Sequence, residues 1–449
     1  MQFITLADYF LLPFFLLIIY AVAYFIRKRD YPPGHPWYRY FMTGLTLKIV
    51  GAIFIGLIYQ YYYGGGDTFM YFLTAKEINN SFTDSPEKWY KLIMHIPRWY
   101  DGEYYSYINR MPFYESTSEY AVAAIAAILG ILCSTTYLPI AVMFGALSYI
   151  GIWALFKTFA SKYPDYTRQI AICCLFIPST VMWGSGLFKD TICMFGLGLL
   201  TYGTFQILIQ RNFQISVIGA TILGFWLIAT IKLYILLAFI PALALWILFT
   251  FSHRLRPGLT RTTIKIVVIG ACVGGFIIFS QKFASELGKY SLENVAQTSY
   301  TTNMNIAQVS GDEGSTYSLG DMDPSIGGML KKFPLAVNVT LFRPYLWETR
   351  KIIQFTNAIE ASMFLWVTLK ILLSLGFRKV KETVGADPTI QFCLIFTIIF
   401  AFAVGLSSGN FGTLSRYRIP CLPFYGVALV LIYYKNKPVE NNILAFNQK

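Results

Sequence analysis

Four stretches of this chain place reactive or anion-gripping side chains against apolar runs. The first is Gly64-Gly65-Gly66-Asp67-Thr68-Phe69-Met70-Tyr71. Its glycines allow a sharp turn and the close approach of a ligand. They leave Asp67 as a carboxylate that can act as a general base or bind a metal or a sugar hydroxyl. The plain alternative is that Asp67 caps the next helix. The second stretch, Pro178 to Asp190, ends in Lys189-Asp190. A Lys beside an Asp can hold a phosphate while the Asp orients a partner, or Asp190 can simply favour a helix N-terminus. The third is Lys232, alone between two long apolar runs, where it either binds a ligand or snorkels to the headgroups. The fourth runs from Gly409-Asn410 to Arg416-Tyr417-Arg418-Ile419-Pro420. Arg grips phosphate through a planar fork and stays charged, so Arg416 and Arg418 suit a lipid-linked phosphate or pyrophosphate, or ordinary headgroups. Arg343 and Glu348 form a fifth, weaker group, either functional or a structural pair.

The elements that position these residues follow from composition. Of 449 residues, 56% are apolar and 13% charged, about half the charged fraction of a soluble domain. Mean hydropathy is +0.53. A bilayer crossing needs about 20 apolar residues, and the sequence predicts spans near 6–26, 40–62, 137–157, 169–184, 190–210, 214–231, 233–252, 264–281, 354–376, 390–407 and 418–434. These make an all-α polytopic bundle, read as a single transmembrane domain over 1–449. The short run 120–134 either crosses or forms a re-entrant or interfacial helix.

Lys and Arg gather at Arg27-Lys28-Arg29, Lys157/Lys162/Arg168, Arg254/Arg256/Arg261/Lys265, Arg378/Lys379/Lys381 and Lys435/Lys437. Placing them in the cytoplasm gives eleven crossings with the N-terminus outside and the C-terminus inside, provided 120–134 does not cross. The segments 63–119 and 282–350 are then outer loops. In the first, Trp89–Trp99 reads as an amphipathic helix on the membrane surface. The second is polar, with Gly311-Asp312-Glu313-Gly314 and Asp321-Met322-Asp323. All four reactive stretches fall on the outer side.

The net charge of +13 is explained by these basic ends, and no basic, aromatic-interleaved domain is present to bind nucleic acid. Cys133, Cys173, Cys174, Cys193, Cys272, Cys393 and Cys421 lie in or beside apolar runs without metal-ligand spacing, and read as small buried hydrophobes. The first apolar run lacks a positive leader and cleavage site, so it reads as a retained helix.

In its order of motifs the chain resembles the GT-C superfamily of membrane glycosyltransferases. Asp67 matches the acidic residue that follows an early span and opens a long outer loop. Pro178 to Asp190 matches the later helix that ends in Pro and an acidic outer turn. Arg416 to Pro423 matches the Arg-Tyr-Arg-x-Pro-x-x-Pro stretch before the last helix. Where many relatives carry an Asp/Glu pair, one acid stands at Asp67. Where they carry Asp-x-Asp or Asp-x-Glu, this chain reads Lys-Asp, so Lys189 can supply the charge a divalent cation would bring. If a metal is bound, Asp67 is the candidate ligand.

The resemblance implies inverting transfer of a sugar from a polyprenyl-phosphate-linked donor, in synthesis of cell-envelope glycan or glycoconjugate. The acceptor would be a glycan, lipid or protein, recognised by the outer loops, at the non-cytoplasmic face of a bacterial inner membrane. Asp67 and Asp190 are the expected catalytic pair. Lys189, Lys232, Arg343, Glu348, Asn410, Arg416, Tyr417 and Arg418 are the expected substrate-binding residues. An O-antigen-type polysaccharide polymerase or ligase fits the arginines almost as well. A transporter predicts paired broken helices in repeated halves, and the sequence contains no such repeat. A membrane subunit that has lost its chemistry is the remaining alternative.

Overall fold

The computed structural model describes residues 2–252, 316–320, 323, 325–349 and 352–437, with a few isolated positions between 270 and 305. The expected span 264–281, the basic residues Arg254, Arg256, Arg261 and Lys265, Cys272, and the loop motifs 311–314 and 321–322 lie outside the described residues. Among those described, regular structure is helical, and the one β-bridge, Thr316 with Asn410, is isolated. Among the described residues, seven helices are long and apolar enough to cross a membrane, or eight if one bent pair forms a single span. This is an integral membrane protein of many helices, in which each span satisfies its own backbone polar groups away from water.

The chain divides into two compact units. The first comprises 1–167, 171–237 and 415–420. Its helices are α1 (Leu6–Asp30), α2 (Tyr38–Tyr61), α3 (Asp67–Asp84), α4 (Pro86–Ile93), the single turn α5 (Tyr105–Ile108), α6 (Thr117–Ile131), α7 (Tyr137–Lys162), α8 (Thr167–Leu175), α9 (Pro178–Trp183), α10 (Lys189–Leu208) and α11 (Ile215–Ile231). Phe10, Phe14, Leu17 and Phe25 of α1 are exposed, as a lipid-facing helix requires. At the centre α7 and α10 pack backbone to backbone. A Cβ on Gly198 would lie 1.9 Å from the Gly151 carbonyl oxygen, the close approach that small residues permit between membrane helices.

Three segments differ from the sequence reading. The span expected at 169–184 is two short helices, α8 and α9. Pro178 disfavours the helical region for the residue before it, and Ile177 is extended at φ −68°, ψ 121°. The helix expected over Trp89–Trp99 ends at Ile93, and His95 adopts φ 54°. Loop 63–119 also contains the 18-residue α3, which its Asn, Ser and Thr content concealed. At 15 residues α6 is not among the helices long enough to cross.

The second unit comprises 168–170, 238–414 and 421–449. It contains most of α12 (Leu233–Ser252), then α13 (Ile326–Lys331), α14 (Phe333–Phe342), α15 (Ile352–Ala386), α16 (Pro388–Ser407), α17 (Phe411–Tyr417, whose last turn enters the first unit) and α18 (Leu422–Tyr434). Helix α15 breaks at Gly376, φ 72°, where the predicted span ends and Arg378, Lys379 and Lys381 follow. Helices α17 and α18 form the bent pair, at 68°, so the last apolar helix starts at Leu422 and not at 418. Aromatic packing ties α16 to its neighbours: Phe392 stacks on Trp246 at 4.5 Å, and Phe396 meets Phe424 at 4.7 Å. Helix α14 was not expected. At 10 residues it is far shorter than a crossing.

Candidate functional site

The first unit draws together three of the four sequence stretches and the Arg416-Tyr417 part of the last. The chain leaves α2 through Gly64 and Gly66, with φ of 68° and 137°. A Cβ on Gly66 would come within 2.5 Å of the Tyr59 ring, so this turn needs glycine for both conformation and space. Asp67 then begins α3 with its side chain 57% exposed. Asp190 lies in the first turn of α10 and is fully buried. Lys232 is the C-cap of α11 and is buried.

Arg416 joins these elements. Its Nε donates to Asp190 Oδ2 at 2.6 Å, and its Nη1 donates to Asp67 Oδ2 at 3.1 Å. The guanidinium lies 4.3 Å from the Phe188 ring centroid, a cation–π contact that favours a fixed plane. Lys232 Nζ donates to the other Asp190 oxygen at 2.5 Å and lies 4.3 Å from the centre of the Tyr417 ring. Two cations and two carboxylates thus form one charge-balanced chain. Both Asp190 oxygens are engaged, which suits an anchoring carboxylate better than a proton acceptor. Asp67 meets solvent and has the exposure a general base needs.

Lys189 faces a different partner. Its Nζ donates to Ser118 Oγ at 2.8 Å and pairs with Glu119, whose carboxylate also accepts from Ser116 and Ser118. Burial pushes the Glu119 carboxyl up, but bonds from Lys189, Ser116 and Ser118 outweigh it and hold the group at about 2. Sequence reasoning missed Glu119, although an acid opening the 120–134 run was a usable signal. Lys48 was missed as well. It is buried within α2, and its Nζ donates to the carbonyls of Thr180 and Gly184, each at 2.8 Å. It thereby satisfies the C-terminal end of α9, just before the turn that carries Lys189 and Asp190. A cation in the middle of a 24-residue apolar helix was its signal.

Arg418 is fully buried, so a ligand arriving from solvent would meet Arg416 first. The other expected binding residues belong to the second unit. Asn410 Oδ1 accepts from the backbone N–H of Gly412 at 2.6 Å, capping α17. Arg343 Nε donates to both oxygens of Glu348 at 3.0 Å, and Glu348 also accepts from Tyr345 N at 2.8 Å. The guanidinium lies 5.2 Å from the Phe411 ring centre. Arg343 and Glu348 are therefore paired with each other within the second unit.

Among the described residues, no group of three or more His, Cys, Asp or Glu is gathered for a metal. The carboxylates that do converge, Asp67 and Asp190, meet on the Arg416 guanidinium, so a cationic side chain already stands where they would share an ion. Comparison with protein-family models, with curated proteins and with solved structures finds no match in any of the three.

Proposed function

We propose that this protein is a membrane glycosyltransferase of the GT-C kind. It takes a sugar from a polyprenyl-phosphate-linked donor at the non-cytoplasmic face of a bacterial inner membrane. The observation that carries this reading is the bridge from Asp67 through Arg416 to Asp190 and Lys232. Asp190 opens the apolar helix α10 and Lys232 immediately precedes the apolar helix α12, positions that in this reading lie level with the headgroup of a lipid carrier. Eleven crossings with the N-terminus outside belong to the same proposal, because they put all these helix ends on one face.

In the transfer, the acceptor hydroxyl oxygen attacks the anomeric carbon as the bond from that carbon to the phosphate oxygen breaks. The electron pair leaves with the phosphate, and the hydroxyl proton passes to Asp67. Arg416, with Lys232 behind it, stabilises the charge developing on the phosphate, the term that usually contributes most to catalysis. Asp190 holds Arg416 and Lys232 in place, and the aromatic outer loop offers rings on which sugars stack.

The test is incubation of the purified protein with an acceptor mixture and one of two donors, a single sugar on polyprenyl phosphate or an oligosaccharide on lipid pyrophosphate. The proposal predicts turnover of the first alone. Turnover of the second alone would make the protein a polymerase or ligase instead.

A further inference from the structure

We propose that Asp67 is the exchangeable partner of Arg416: a phosphate ester takes its place on the guanidinium, and the displaced Asp67 becomes the free proton acceptor. This deepens the function proposed above and rests on it. Donor binding and base release would then be one event.

The inference comes from the unequal settings of two identical groups. Asp190 is fully buried, and its second oxygen is bonded to Lys232. Removing it from Arg416 would strand buried charge, which is strongly unfavourable. Asp67 holds the same guanidinium through one bond of 3.1 Å with its side chain 57% exposed. Such an exposed contact is weak and open to competition. The guanidinium fork matches two phosphate oxygens better than one carboxylate oxygen. Phe188, 4.3 Å away, favours the same ring-facing plane during the exchange. Charge points the same way. With Asp67 in place, Arg416 and Lys232 are balanced by two carboxylates. With Asp67 turned away, two cations face Asp190 alone, and the surplus positive charge suits an anionic ester.

The test is binding, separate from turnover, with the full chain in lipid nanodiscs. Farnesyl phosphate is the probe, and farnesol and inorganic phosphate are the comparison ligands. A competing carboxylate makes an unusual prediction: Asp67→Asn and Asp67→Ala should bind farnesyl phosphate about three- to tenfold more tightly than the wild type, because a partly exposed ion pair no longer opposes it. Arg416→Gln should bind it at least about tenfold more weakly. Farnesol should bind all forms alike. Equal or weaker binding by both Asp67 variants overturns the exchange, and so does a gain confined to inorganic phosphate. A second measurement needs no substitution. Carbodiimide labelling of Asp67 in the wild type, read by mass spectrometry, should rise when farnesyl phosphate is added, and an unchanged yield contradicts the proposal. Tighter binding without sugar transfer would leave the exchange standing and remove the glycosyltransferase reading. Transfer without tighter binding would do the reverse.

Discussion

Asp67 and Asp190 carry the same functional group and touch the same guanidinium, yet their surroundings predict different consequences of losing them. Asp190→Asn leaves Arg416 and Lys232 facing a neutral amide in a buried setting. It should cost about 3–5 kcal/mol and lower the melting temperature clearly. Asp67→Asn removes one half-exposed contact and should cost less than about 1 kcal/mol. Thermal unfolding of both variants in one detergent checks the contrast, and equal losses would contradict the division of roles. Glu119 gives a second prediction. An acid whose pKa falls on folding stabilises the folded state above its unfolded value, and loses that contribution as pH drops toward the folded one. Between its ordinary 4.5 and about 2, the wild type should therefore lose melting temperature more steeply than Glu119→Gln. At this scale the sequence was informative where a charged residue interrupts an apolar run at a turn, as at Asp67, Asp190, Lys232 and Arg416. It was silent on who pairs with whom. Nothing in the spacing of 67, 190, 232 and 416 says that one guanidinium joins two of them. Lys48 escaped notice because its partners are backbone carbonyls 132 and 136 residues away.

The helices that hold these groups depend on close packing where lipid offers no hydrophobic drive between them. Gly198→Leu would force side-chain atoms into the Gly151 carbonyl on α7, since even a Cβ there would lie 1.9 Å from it. It should destabilise the protein by about 1–3 kcal/mol or more, the range of overpacking, measured again as a loss of melting temperature. Lys48→Met should cost about 1–3 kcal/mol by leaving the Thr180 and Gly184 carbonyls unsatisfied. Long spans were legible because a continuous apolar run of sufficient length has few other uses, as α2, α7 and α16 illustrate. Breaks inside such runs were harder to read. Pro178 ended one predicted span early, yet Pro13 sits inside the continuous α1 and Pro241 inside α12. Whether a proline interrupts a helix depends on the neighbours that can satisfy the freed carbonyl, and hydropathy carries none of that. The short helix α14 failed for the opposite reason, since ten residues are too few to show a clear periodicity, whereas α4 was read in part, its amphipathic pattern placed a few residues too late.

For the molecule as a whole, the apolar helices make it a membrane protein, and the proposal adds a face to that membrane. In that proposal the basic residues at Arg27-Lys28-Arg29 and Lys435/Lys437 face the cytoplasm, and the charge-balanced chain is predicted to lie on the other side. Single cysteines at positions 62 and 30, introduced after the seven native cysteines are replaced, check this directly. In intact cells a membrane-impermeant thiol reagent should label the first and spare the second, and the reverse pattern would invert the topology. The most direct measurement of the central claim is sugar release from a single-sugar polyprenyl-phosphate donor by the purified protein, compared with its Asp67→Asn variant at equal amounts of folded protein. The account predicts release by the wild type and a loss of at least about a hundredfold in the variant, the scale of a general base. Full activity in Asp67→Asn, or no release by the wild type from any such donor, would contradict it.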